Sequence, residues 1–187
     1  MSDLGSSVYE AFSFLDDFLK DVSKLLTTIN ENLASKHLAP LGDAATFWDH
    51  SRAYYAPGQW MPKYIIRHYS NEEYIQKNGS WKVPWLAFFV VYLYPDRFKE
   101  PVAGWGYISQ KELKDFSGIL KKSGLYKQNP NFLTKVSAEE WIDIDDLPDS
   151  LLNFKYRSNM LTELHDANIV ETMVIQPLMM EVNKYND

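Results

Sequence analysis

Trp85-Leu-Ala-Phe-Phe-Val-Val-Tyr-Leu-Tyr94 and Val102-Ala-Gly-Trp-Gly-Tyr-Ile108, separated by the turn-rich Pro95-Asp-Arg-Phe-Lys-Glu-Pro101, decide the fold. Both runs are apolar, aromatic and β-branched, and the connection between them carries Pro and charge, so they read as neighbouring strands. The first run has no polar alternation, which is the pattern of a strand buried on both faces. Before it, Lys63-Tyr-Ile-Ile-Arg-His-Tyr69 alternates, with Ile65, Arg67 and Tyr69 on one side and Tyr64, Ile66 and His68 on the other. These three segments make an antiparallel set, joined by Asn71-Glu-Glu-Tyr-Ile75 and the Asn78-Gly79 turn pair, a connection that also admits a short helix.

Upstream, Val8, Phe12, Leu15, Leu19, Val22, Leu26, Ile29 and Leu33 recur at alternating spacings of four and three and so hold one face of a helix. Ala11, Phe18 and Leu25 widen the stripe beyond a two-stranded seam, whose flanks carry Glu and Lys. A helix of this kind packs on a sheet or in a bundle, or pairs with a second copy; Pro40 and Gly42 end it. Downstream, Ser109-Gln-Lys-Glu112 has the spacing of a capping box ahead of Leu113, Phe116, Ile119 and Leu120, which predicts a helix through Lys122 ending at Gly124. Ser137-Ala-Glu-Glu140 repeats the capping pattern, yet Trp141-Ile-Asp-Ile-Asp145 alternates like a strand, and both readings stay open. A helix is expected from Pro148-Asp149-Ser150 through Leu151, Phe154, Leu161 and Leu164 toward Ala167; Ile169–Ile175 reads either as a final strand, narrowly preferred, or as an extension of that helix, with a short helix after it. The expectation is a single α+β domain over 1–187: an N-terminal helix at 1–39, a strand-rich core at 60–108 and mixed elements at 109–187, with a mostly antiparallel sheet of three to five strands.

Composition narrows the function. With 45 % hydrophobic and 15 % aromatic residues, a chain of 187 residues closes one sizeable core. The net charge of -6 argues against a general nucleic-acid binder, because non-specific affinity for phosphate backbones comes from Lys and Arg. A local lysine surplus between 109 and 135 (Lys111, Lys114, Lys121, Lys122, Lys127, Lys135) reads as a solvated helix face. The absence of cysteine excludes disulfides, thiolate nucleophiles and Cys-ligated metals. Met1-Ser-Asp-Leu-Gly-Ser-Ser7 lacks a basic region before an apolar one, and the run Trp85–Tyr94 is about half a membrane span, so a cytoplasmic location without a membrane partner is expected.

Four patterns bear on chemistry. Pro95-Asp96 after a hydrophobic strand, with Glu112-Leu113-Lys114 sixteen positions beyond Asp96, resembles the PD-(D/E)xK nuclease signature. The resemblance covers Pro95, Asp96, Glu112 and Lys114 only, and implies that Asp96 and Glu112 hold a divalent metal such as Mg2+ while Lys114 positions the attacking water. That family sets its Glu and Lys on a core strand beside the Asp, whereas Glu112 here falls on the capping box. Asp143-Ile-Asp145-Asp146 offers oxygen ligands for a hard cation and resembles a DxD motif over two residues; a solvated acidic edge accounts for it without metal. His37, His50, His68 and His165 lack metal-ligand spacing and read as structural or surface residues, although Glu163 and Asp166 would favour the charged form of His165 if close. Gly104-Trp-Gly106 is superficially similar to a dinucleotide fingerprint, but the third glycine position is Ser109, and the pair reads as a bulge or a close approach of backbone.

The irregular aromatic segment from Phe47 to Trp60 supplies Tyr54, Tyr55 and Trp60 as candidate ligand-binding residues, since loop aromatics have no period that assigns them to a core. The leading expectation is therefore a non-catalytic binding or interaction domain without cofactor, with a protein partner or self-association through the N-terminal helix. The alternative is a metal-dependent phosphodiesterase using Asp96, Glu112, Lys114 and Mg2+.

Overall fold

A computed structural model describes residues 4–42, 46–48, 64–78, 81–93, 98–122, 133–145, 147 and 149–185. The architecture is α+β. Helix α1 (Leu4–Ala34) leads into β1 (Leu38–Pro40), β2 (Thr46–Trp48) and β3 (Tyr64–Asn71); α2 (Glu72–Asn78), β4 (Trp85–Tyr92), β5 (Val102–Gln110) and α3 (Phe116–Lys122) follow. The chain then forms β6 (Ser137–Asp143), β7 (Leu151–Met160) and a C-terminal helical run made of α4 (Ala167–Val170), a π-helical turn (Glu171–Ile175) and α5 (Gln176–Val182). The sheet order is β1-β3-β4-β5-β7-β6, with β2 also pairing with β3, and every pairing is antiparallel. At seven strands among the described residues, the sheet is larger than the three to five expected.

Every residue of β4 and β5 is buried, because both faces of the sheet are covered. On one face Ile65, Tyr69, Trp85, Ala87, Phe89, Val91, Ala103, Trp105 and Tyr107 pack under Val22, Ile29 and Leu33 of α1 and Val170, Val174, Ile175, Leu178 and Val182 of the C-terminal run. On the other face Ile66, Leu86, Phe88, Val90, Val102, Ile108, Phe154 and Tyr156 meet Phe116 and Leu120 of α3 together with Leu41, Val83 and Leu133. Burial of this many large side chains, each contributing about 1.5–3 kcal/mol, is the main favourable term for folding.

Several expected boundaries shift for local reasons. Helix α1 stops at Ala34, before Pro40: His37 adopts a left-handed φ of 62°, and its amide donates to the Ala34 carbonyl. Ser109 lies in β5, buried, and its hydroxyl accepts from the Asn153 side-chain amide, so it caps no helix. Helix α3 begins at Phe116, where the Asp115 carboxylate accepts from the Ser117 amide. Ser137–Asp143 is a strand, which settles the open reading there. The segment expected to be a helix after Ser150 is β7: Phe154, Tyr156 and Ser158 alternate inward, and sheet pairing on both sides overrides the helical spacing of Leu151, Phe154, Leu161 and Leu164.

The segment Ile169–Ile175 is helical despite its β-branched content. Asp166 caps it by accepting from the Asn168 and Ile169 amides at 2.8 and 2.9 Å, and its apolar side seals the sheet. The π-turn, in which the Gln176 amide reaches the Glu171 carbonyl, carries the run past Pro177, which has no amide proton to give.

Gly106 marks a close approach of backbone, as its sequence context suggested. A Cβ there would run into the Lys155 carbonyl oxygen and lie 2.9 Å from both the Phe88 ring and the Tyr156 backbone. At Gly104 the tight contacts of a Cβ would be side-chain tips, Leu133 Cδ1 at 3.0 Å and Val90 Cγ1 at 3.1 Å, with the Arg157 carbonyl oxygen at an ordinary 3.6 Å. Gly106→Ala is therefore expected to destabilise the protein by about 3 kcal/mol or more and Gly104→Ala by clearly less; chemical-denaturation midpoints of equal size for the two variants would contradict this.

His68 is buried in β3 with its ring 5.5 Å from Trp81, edge to face, and burial lowers its pKa from 6.5 to about 3. Below pH 6.5 the unfolded chain takes up a proton that the folded state refuses, so this contribution to stability is complete above pH 6.5 and declines as the pH falls toward 3. The slope attributable to the group approaches ~1.4 kcal/mol per pH unit. A His68→Phe variant should lose that slope, so that thermal stability followed from about pH 7 to pH 4 improves relative to wild type as the pH drops; parallel profiles would refute the assignment.

Candidate interaction surface on the N-terminal helix

The apolar stripe of α1 is longer than the sheet it covers. Val22, Ile29 and Leu33 are buried, and Phe18, Leu25 and Leu26 pack partly against the same cluster. Tyr69 Oη donates to Asn30 Oδ1 at 2.7 Å, tying the C-terminal half of the helix to β3. Burial of the Tyr69 phenol raises its pKa, which keeps that donor protonated. Every residue from Leu4 to Phe14, by contrast, is exposed.

That exposed portion continues the buried stripe. Leu4, Val8, Ala11 and Leu15 fall on the face that carries Val22 and Ile29, by the same spacings of four and three. Phe12 and Phe14 flank it, 68 % and 73 % exposed, and Leu4 is 76 % exposed. The Phe14 ring stacks on Phe18 with centroids 6.4 Å apart, linking the exposed half to the packed half. The charged residues Glu10, Asp16, Asp17, Lys20 and Asp21 lie off the stripe, and Lys20 pairs with Asp16 at 2.6 Å and Asp17 at 3.2 Å. The hydrogen bond to Asp16 leads the upward shift of the Lys20 pKa.

Leu4 and Phe14 escaped the sequence reading. Leu4 stands four positions before Val8 and Phe14 stands three after Ala11 and four before Phe18, in the flanking row that widens the stripe, so helical spacing carried a signal for both.

Of the residues expected to carry metal chemistry, the structure describes Glu112, Lys114, Asp143 and Asp145. Glu112 and Lys114 follow the end of β5 on an exposed connection and pair with each other at 2.7 Å; the Lys114 hydrogen bond holds the Glu112 carboxyl below its usual pKa. The backbone of that connection is fixed from below by Gln110, whose side chain donates to the Val83 and Lys114 carbonyls at 2.6 and 2.8 Å and accepts from the Lys114 amide. Asp96 lies outside the described residues, as do Tyr54, Tyr55, Trp60, His50 and Asp146. Asp143 is exposed on the outer strand β6 and pairs with Lys155 at 3.3 Å, directly across the ladder, and Asp145 is exposed beyond the strand. With Glu139 and Glu140 also exposed, β6 is a charged outer edge. His165 is exposed with Asp166 3.8 Å away, and His37 occupies the turn after α1. Among the described residues no three His, Asp or Glu side chains converge as a metal site.

One further cluster has a structural explanation. Between Ser137 and Ile142 the β6–β7 ladder loses register, and Arg157 occupies the irregularity: Nη1 donates to the Ala138 carbonyl at 3.2 Å and the guanidinium lies 4.9 Å from the Trp141 ring centroid. Partial burial lowers the Arg157 pKa and the Glu181 carboxylate opposes the shift. Arg157 thereby closes the outer end of the helix-covered core.

Among the described residues no helix is long and apolar enough to cross a membrane. No protein-family model, curated protein or solved structure matches this chain.

Proposed function

We propose that the chain is a non-catalytic binding domain whose docking element is the N-terminal half of α1. The observation that supports this reading is the continuation of a core-type apolar stripe for several turns beyond the core it serves, with Leu4, Phe12 and Phe14 each more than two-thirds exposed. Contiguous apolar surface of this kind, rimmed by charge, is characteristic of sites that another surface covers. A helix half of this length also gains little from propensity alone in water, and its order is completed by packing.

The test is the size of the species formed in an extract of cells producing the tagged full-length chain, compared with a Val8→Glu/Phe12→Glu double variant. The wild type is expected to migrate as a complex heavier than the 21.8 kDa chain and the variant as a monomer. A wild type that is monomeric in extract would contradict the reading. Because both substituted side chains are exposed in the single chain, the variant's stability should match that of the dissociated wild type, compared at low protein concentration, to within about ±0.5 kcal/mol.

A further inference from the structure

We infer that the occupant of this surface is a second copy of the chain, bound with the two N-terminal helix halves antiparallel. The inference rests on the reading of α1 as a docking element and adds the identity and geometry of its partner.

Sterics set the direction. The buried residues Val22, Ile29 and Leu33 lie on the same face as the exposed Leu4, Val8 and Ala11 and the half-buried Leu15, so the domain body sits on the stripe side of its own helix. A parallel partner, with its stripe facing the first, would have its C-terminal half and its body in the space that the first body fills. Antiparallel helices avoid this. The exposed half of each then continues the line of the other copy's body, and Leu4 of one copy reaches the Phe18–Val22 turn of the other.

The stripe suits such a contact with itself. It is bulky at both ends, with Leu4 and Phe18, and smallest at Ala11 near the middle, so its profile is similar in either direction and the two backbones can approach closely at the crossing. No charge lies within it to be left unpaired, and the acidic residues Glu10, Asp16, Asp17 and Asp21 stay on the outer arc of each helix. That outer arc carries Lys20 as its single base between Leu4 and Asp21, the opposite of the Lys/Arg-rich polar face that holds a helix on an anionic bilayer. Area is adequate as well. A Phe ring buries ~150–250 Å2, so Phe12 and Phe14 with Leu4 and Val8 from both copies bring the contact to roughly 1,000 Å2, where specific association becomes feasible.

The test uses the purified full-length chain. Sedimentation over a concentration series is expected to give a species of twice the 21.8 kDa chain mass, with Val8→Glu/Phe12→Glu weakening association by roughly a hundredfold or more. Because the chain has no cysteine, single thiols report direction. With a short thiol cross-linker, Ala11→Cys should link to itself, whereas Leu4→Cys should not, since antiparallel pairing holds the two Leu4 positions about 20 Å apart. Efficient self-linking of Leu4→Cys would overturn the antiparallel geometry. A purified chain that stays monomeric while forming a complex in extract would overturn the identity of the partner and leave the binding reading intact. A monomeric purified chain that co-sediments with phosphatidylcholine/phosphatidylserine vesicles, and loses this in the double variant, would overturn it in favour of a lipid surface.

Discussion

The contact of Val22, Ile29 and Leu33 with the aromatic face of the sheet is the constraint on which the rest of the structure depends. A central hairpin whose residues are buried on both sides has to be covered twice. Helix α3 and the segments around Leu41, Val83 and Leu133 cover one face; the C-terminal half of α1, side by side with the 167–182 helical run, covers the other. Neither of the latter two helical segments suffices alone, since Trp85, Trp105, Tyr107 and Phe89 spread across two strands beneath them. The π-turn before Pro177 belongs to this requirement, because it keeps Val174, Ile175 and Leu178 on the sheet side of a run that a proline would otherwise end.

The aromatic density of the core has a polar cost. The indole N–H groups of Trp85 and Trp105 and the Nε atoms of Arg67 and Arg157 are buried with no hydrogen-bond acceptor among the described residues. An unmade hydrogen bond of this kind costs about 1–3 kcal/mol. The ring area buried with each Trp offsets it. Gly106 gives up its side chain to the same end, leaving room for the Phe88 ring, which meets Phe154 edge to face at 5.7 Å. Packing of large rings at the centre of the sheet thus leaves the donors orphaned and, together with the close approach of the Lys155 carbonyl from β7, requires the glycine.

The central strands and the helix stripe were legible in the sequence because burial leaves a periodic or continuous apolar trace. Ile65, Arg67 and Tyr69 alternate with Tyr64, Ile66 and His68 as the ladder requires, and Val22, Ile29 and Leu33 follow the helical period. Elements whose state depends on distant partners were not legible. Strand β7 carries both a helical spacing and the alternation of Phe154, Tyr156 and Ser158, and only pairing with β5 and β6 chooses between them. Ile169–Ile175 has strand-like composition, and the sheet face it covers makes it helical. Ser109 and Glu112 have the letters of a capping box, but Ser109 is claimed by a ladder. As for the candidate surface, Val8, Phe12 and Leu15 were identified as a helix face; that this half extends past the body depends on where β3 and the C-terminal run end, which local spacing does not encode.

The stripe of helix α1 closes the core with its C-terminal half and is exposed along residues 4–14, and on the proposed reading that exposed part serves a second surface. Amide hydrogen exchange along α1, followed at several protein concentrations, tests this division most directly. Residues 22–34 should be protected to the level of β4 and β5 at every concentration, whereas 4–21 should gain protection only as concentration rises. Uniform, concentration-independent protection from Leu4 to Ala34 would contradict the account.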